Sequence, residues 1–185
     1  MFYIKNMVCR RCVDTVRRIF GQLGVTPVSV DLGCVRLSVP LDPDRKGMLK
    51  ELLGQNGFSL LEEPHSQLAA CIKGAVIDYV RGDEQVHRDK MSDYISQRLN
   101  RDYSSLSKLF SEVCGITVEK FFIAQRIEYV KELLEYGEMS LSEIACHLGY
   151  SSAAYLSSQF KNVTGMTPGE FRSMPVKKRR PLDSI

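Results

Sequence analysis

Residues 7–12 read Met-Val-Cys-Arg-Arg-Cys. Two thiols separated by two residues can hold a soft ion such as Cu(I), share Zn(II), or cycle between dithiol and disulfide. Cys9 and Cys12 are therefore the candidate metal ligands, with Met7 two residues before the first of them. Cys12 falls at the expected start of a helix, where the helix dipole favours thiolate and Arg10 and Arg11 add to that effect. Three readings stay open for this loop: a metal site, a redox pair, or a scaffold used for contact with a partner or effector. A structural zinc site needs four ligands, and the chain has no second C-x-x-C. His65, His87 and His147 are scattered, and Cys34, Cys71, Cys114 and Cys146 read as small apolar packing residues. No nucleophile–base set and no Gly-rich phosphate loop is visible, so no enzyme is expected.

The loop must be held by its neighbours. Phe2-Tyr3-Ile4 is a β-prone run, and Val13, Val16, Ile19, Phe20 and Leu23 recur at helical spacing up to Gly24. VSVDL and CVRLSV alternate with period two around Gly33. A helix opens at Asp42-Pro43, carries Met48, Leu49, Leu52 and Leu53, and is expected to stop at Gly54 to Gly57, before the strand FSLLEE. The order is βαββαβ, the ferredoxin-like split arrangement. After Pro64 strand signals vanish. Helices are expected over 66–80, 91–99, 103–113, 117–136, 141–148, 152–163 and 167–173, with RGDEQVHRD as a polar loop. The fold class is thus an α+β N-terminal βαββαβ ferredoxin-like domain followed by an all-α domain. The expected divisions are 1–63, a linker and first helix at 64–90, the helical domain at 91–175, and a basic tail at 176–185.

The helical part repeats itself. LSKLFSEVCGITVEKF at 106–121 aligns with LSSQFKNVTGMTPGEF at 156–171, an offset of fifty, and MSDYI at 91–95 sits over LSEIA at 141–145. Each copy reads as a short helix, a tight turn and a second helix. In the second copy Leu141, Ile144, Ala145 and Leu148 form one apolar face, Gly149 supplies the turn, and Leu156, Phe160 and Val163 are expected to be buried. This is helix-turn-helix spacing, and it doubles the unit into a double helix-turn-helix. Ser151, Ser152, Ala154, Tyr155, Ser158, Gln159 and Lys161 would then face double-stranded DNA, with Ser104, Ser107 and Lys108 doing the same in the first copy. The joining helix of about 20 residues would be roughly 30 Å long, near the ~34 Å of one DNA turn. Residues 151–185 hold Lys161, Arg172, Lys177, Lys178, Arg179 and Arg180 against Glu170 and Asp183, a basic surplus suited to phosphate.

Two resemblances follow. SLSEIACHLGYSSAAYLSSQFKNVTGMTPGEFR resembles the second half of an AraC-type DNA-binding domain, through Ile144-Ala145, Gly149-Tyr150, Tyr155, Phe160-Lys161, Gly165, Thr167-Pro168 and Phe171-Arg172. The first half matches its partner unit, and the resemblance covers about residues 66–173. Ser111-Glu112 stands where that family often has basic residues, and Leu99-Asn100 replaces its first Gly turn. Residues 2–62 resemble the heavy-metal-associated domain of copper chaperones and transport ATPases, through Met7, Cys9, Cys12 and Gly57-Phe58, with Asn6 in place of the family's Gly. These resemblances imply a metal-responsive transcription regulator with double-stranded DNA as partner, RNA polymerase and a second copy of the chain as further candidate partners, and Cu(I) or Zn(II) as candidate ion. The rival is a metal chaperone or redox-active protein whose helical domain binds a protein partner.

The whole chain has 185 residues, 44% hydrophobic and 25% charged, with a formal net charge of +3. No apolar run nears the roughly 18 residues that span a bilayer, no signal peptide is evident, and six cysteines without a secretory context point to a cytoplasmic protein with no membrane partner.

Overall fold

The computed structural model describes residues 1–82 and 90–174. The polar loop expected at 81–89 falls mostly outside the described residues, as does the basic tail at 176–185. The chain begins β1 (Phe2–Lys5), α1 (Arg10–Gln22), β2 (Ser29–Asp31), β3 (Cys34–Arg36), α2 (Pro43–Gln55) and β4 (Ser59–Leu61). The four strands form one sheet in the order β2-β3-β1-β4, and every pair is antiparallel. α1 starts at Arg10, three residues before the apolar period, because Cys9 adopts extended backbone and serves as its N-cap. α2 is opened by Asp42, whose carboxylate accepts from the Arg45 N–H at 2.8 Å. It ends at Gln55 with Asn56 as its C-cap, inside the Gly54 to Gly57 stretch where the stop was expected.

Seven helices follow among the described residues: α3 (Pro64–Val80), α4 (Met91–Leu99), α5 (Tyr103–Cys114), α6 (Val118–Tyr136), α7 (Leu141–His147), α8 (Ala153–Thr164) and α9 (Pro168–Ser173). α3 begins at Pro64 because the Glu63 side chain accepts from the backbone N–H groups of His65 and Ser66. No helix among the described residues is long and apolar enough to cross a membrane.

The sheet is covered on both faces. Phe2 meets the Phe20 ring of α1 at 6.2 Å between centroids. The next residue, Tyr3, points the other way and pairs in register with Cys34. Cys34 in turn neighbours Cys71 of α3. α1 and α3 therefore lie on opposite faces. The approach of α3 is close enough to demand glycine twice. A Cβ on Gly33, which has φ +83°, would stand 2.7 Å from the Ala70 carbonyl oxygen, and one on Gly74 would collide with the Leu32 carbonyl. As a result one continuous core runs from Ile4, Val16, Phe20 and Leu49 through Ile72 and Val76 to Ile95, Leu106, Phe110 and Phe121. The boundary expected at residue 63 passes through this core. A second core gathers Ile127, Val130, Leu134, Ile144, Leu156, Phe160 and Phe171. α6 contributes to both cores: its first turns belong to one and its later turns to the other.

Candidate nucleic-acid interface

Each repeat folds as a short helix, a left-handed turn and a second helix. In the first, α4 ends at Leu99 and Asn100 takes φ 50°, ψ 48°. Asn is among the few residues with a side chain that tolerate this region. The turn continues to Asp102, whose carboxylate accepts from the Ser105 N–H and caps α5. In the second, Gly149 takes φ +67° and Ser152 caps α8 by accepting from the Tyr155 N–H at 3.1 Å. α7 is held by a capping box in which the Ser140 hydroxyl and Glu143 carboxylate serve each other's backbone N–H.

The sequence-expected contact residues fall mainly on the outer faces. In α5, Ser104 and Lys108 are exposed and Ser107 is half-buried; in and before α8, Ser151, Ser152, Ala154, Tyr155, Ser158 and Lys161 are exposed. Tyr155 is 53% exposed. Three of these side chains have their oxygens already engaged. The Ser104 hydroxyl donates to the Asp102 carboxylate at 2.5 Å. The Ser152 hydroxyl serves as the cap just described, and Gln159 is half-buried with its Oε1 accepting from the Tyr150 hydroxyl at 2.7 Å. The amide NH2 of Gln159 remains its outward chemistry. Val163 is 44% exposed, not buried as its spacing suggested. α9 covers the Phe160 side of α8 through a Phe160–Phe171 ring contact at 5.7 Å, and Val163 lies beyond that cover. Val113, its counterpart in the first repeat, is also exposed, so the geometry belongs to the unit. Two exposed positions escaped the sequence reading: Ser105, the counterpart of Tyr155, and Asn162 on the last turns of α8. Applying the offset of fifty residue by residue would have found Ser105.

Side chains fix each unit to the helices beside it. Arg98 of α4 pairs with Asp78 of α3 at 2.6 Å and donates to the Tyr94 hydroxyl at 2.7 Å. The Tyr103 hydroxyl of α5 donates to Glu119 of α6 at 2.6 Å. Arg126 of α6 donates to the Leu148 carbonyl at 2.7 Å and lies 3.7 Å from the Tyr150 ring centroid. It thereby grips the turn of the second unit from both sides of Gly149. Arg172 donates to the Met139 carbonyl at 2.8 Å and ties α9 to the entry of α7.

In the loop between β1 and α1, Cys9 and Cys12 lie with their sulfurs 3.5 Å apart. Asn6 takes φ 73°, which explains how it occupies a position where glycine is usual, and its side-chain amide donates to the Gly57 carbonyl at 3.0 Å. The two loops are thus clipped together. Met7 is buried and packs into the core. Burial pushes the Cys12 thiol up, so the helix start does not produce the depressed thiol that the sequence suggested. Among the described residues no group of three or more His, Cys, Asp or Glu could hold a metal. The paired thiols fit a soft ion taking two sulfur ligands and do not fit a four-ligand zinc site. Cys9, Arg10 and Arg11 form one wall of an open cleft of about 830 Å³, whose other wall includes Arg81, Tyr129 and Glu132. Arg81 and Glu132 pair across α3 and α6 at 2.7 Å.

Two helix-turn-helix units on one joining helix define a double helix-turn-helix architecture. Residues 95–174 match a family model described as helix-turn-helix domain, covering most of the stretch, about 66–173, that resembles AraC-type domains. The chain is 34% identical over 97 residues to an uncharacterized HTH-type transcriptional regulator of Staphylococcus aureus, covering 52% of this chain and 13% of that protein. It is 31% identical over 125 residues to the Msm operon regulatory protein of Streptococcus mutans, covering 68% of this chain and 44% of that protein. The chain therefore spans less than half the length of either relative. The C-terminal domain of AraT, a response regulator from Geobacillus stearothermophilus, shares the fold of the helical part, with a TM-score of 0.50 and 24% identity over 61% of this chain and 93% of that one.

Proposed function

We propose that this chain is a cytoplasmic, AraC-type transcription regulator rather than an enzyme, binding double-stranded DNA in a sequence-specific manner. α5 and α8 enter successive major grooves, and α6, 19 residues or roughly 28 Å long, sets their separation. The observation that carries this reading is the pair of capped second helices, each presenting small polar side chains and one lysine outward from an otherwise buried unit. Ser104, Lys108, Ala154, Tyr155 and Ser158 are the base-facing set, and Lys161 serves phosphate. The names of the relatives, an HTH-type transcriptional regulator and an operon regulatory protein, support it. RNA polymerase and a second copy of the chain are further partners in this reading.

The N-terminal unit is, in the same proposal, a ferredoxin-like, heavy-metal-associated-like sensor occupying residues 1–63. Cys9 and Cys12 hold Cu(I), or share Zn(II) with a ligand from outside the chain. The cleft between this loop and α6 offers the route by which a bound ion alters the DNA-binding part.

Selection from a random DNA pool, followed by fluorescence anisotropy with reduced protein, tests the reading. A recovered motif bound more tightly than scrambled DNA, with affinity falling steeply as salt rises, is expected. Recovery of no motif would sink the regulator reading and favour a protein partner for the helical part. Adding Cu(I) or Zn(II) to wild type and to Cys9→Ser/Cys12→Ser separates metal control from DNA binding. A response that survives in the variant overturns the sensor.

A further inference from the structure

The chain carries a second thiol pair, far from the C-x-x-C in sequence. Cys34 stands at the start of β3 and Cys71 in the middle of α3. Because Gly33 lies against the Ala70 backbone, Cys34 and Cys71 are brought side by side on one cleft wall, near enough for each thiol to act on the other. Both are half-buried and free, and both line an open cleft of about 1040 Å³ together with Arg36, Arg98 and Arg101. Solvent therefore reaches them. Cys71, Arg36 and Arg98 favour a charged Cys34 sulfur, while burial and Asp31 oppose it; the balance lowers the Cys34 thiol below the ordinary range and raises that of Cys71. This is the arrangement of an attacking thiol beside a resolving one.

We infer that Cys34 and Cys71 form an oxidant-responsive dithiol, which a peroxide converts to a disulfide joining the sheet to α3. The Cys34 thiolate attacks one peroxide oxygen, the O–O bond breaks, and the departing hydroxide takes a proton to become water. Cys34 is left as a sulfenic acid. The Cys71 sulfur, losing its proton, then attacks the Cys34 sulfur; the S–O bond breaks and the second oxygen leaves as water. Two thiols are oxidised and one peroxide is reduced to two waters. The product would tie β3 to the helix that packs on α4, α5 and α6.

The test uses the full chain and needs no DNA. Reduced protein is exposed to hydrogen peroxide, remaining thiols are blocked with N-ethylmaleimide, and tryptic peptides are mapped by mass spectrometry. The expected result is a linked pair of Cys34 and Cys71 peptides, with loss of both alkylatable thiols before Cys114 and Cys146 react. Cys34 and Cys71 alkylated as fully as Cys146, or Cys34 linked to any other cysteine, overturns the inference. In Cys71→Ser, Cys34 should stop at the sulfenic acid and be captured by dimedone. A Cys34 that dimedone never labels also overturns it.

Discussion

The two helix-turn-helix units share a skeleton and differ in what surrounds it. Leu106 and Leu156, Phe110 and Phe160, and Phe121 and Phe171 occupy matching positions fifty apart, and all are buried. Gly115 and Gly165 both end the second helix with positive φ, and Thr117 and Thr167 both cap the next. The outward faces diverge: Ser105 stands where the second unit has Tyr155, and Glu112 where it has Asn162. The deeper difference is in the cores. The first unit is built into the same core as the sheet, whereas the second closes its own core and meets the rest through α6. The positions that match are the ones that pack, and the ones that differ lie on the outward faces. The first unit is the one that shares its core with the N-terminal sheet.

The largest effect that could break this contrast comes from the core phenylalanines. Phe110→Ala and Phe160→Ala should each cost about 3–5 kcal/mol. Hydrogen exchange should show different footprints. Phe160→Ala is expected to open α7 to α9 while α1 to α3 stay protected; Phe110→Ala should loosen the sheet as well. If both variants expose the same amides, the two cores are one cooperative unit.

Next in size is Arg126→Ala, which removes a charge-assisted hydrogen bond to Leu148 and the contact with Tyr150. A loss of about 1.5–3 kcal/mol is expected. It should fall on the second unit, read as DNA affinity lost at the half-site bound by α8, with the α5 half-site unchanged. Equal loss at both half-sites would mean that Arg126 holds α6 as a whole. Smaller again is Tyr155→Ala against Ser105→Ala. Tyr155 should cost about 1–3 kcal/mol of discrimination at one base step, and Ser105 less, because a short hydroxyl reaches fewer base atoms. Binding measured on a panel of single-base operator variants decides it. A Tyr155→Ala loss spread evenly over the panel would mark a backbone contact instead.

The skeleton was legible because its signals are local. Buried residues recur at helical period, the repeat doubles Leu106, Phe110 and Phe121 as Leu156, Phe160 and Phe171, and Asn100 announces a left-handed turn. The order of strands and helices in the first sixty residues was legible for the same reason, through alternation and Gly or Pro stops. What escaped depends on docking. Cys34 and Cys71 looked like packing residues, since nothing in either segment says that α3 will lie across the β2–β3 turn. That contact becomes visible only when Gly33 and Gly74 are seen to make room for carbonyl groups. Gln159 looked like a base reader, yet the Tyr150 hydroxyl comes from a neighbouring turn to occupy its oxygen. Cys12 looked like an activated thiol because the helix dipole is a local argument, whereas burial is a tertiary one and it dominates.

Acid separates the two units by a smaller but signed effect. Glu143 and Glu170 cap helices of the second unit, and hydrogen bonds from the Ser140 side chain and backbone to Glu143, and from the Thr167 backbone and side chain to Glu170, hold their carboxyl groups below the ordinary value of 4.5. A carboxylate with a depressed folded pKa contributes stability that is present above its unfolded pKa and lost as pH falls through its folded one. Asp102 and Glu119 behave the same way in the first unit. There, however, Asp78 opposes them: burial outweighs Arg98 and raises its carboxyl above 3.8. Its contribution has the reverse sign, fully present below the unfolded value and lost as pH rises through the raised folded one. Acid therefore relieves the α3–α4 junction while it strips the caps of α7 and α9. As pH falls past 4.5, amides of α7 and α9 should lose exchange protection before those of α4 and α5. Glu143→Gln/Glu170→Gln keeps the capping geometry without the titration, so it should flatten the acid response of the second unit. If it leaves that response unchanged, the caps are not its source, and the acid sensitivity lies elsewhere in the second core.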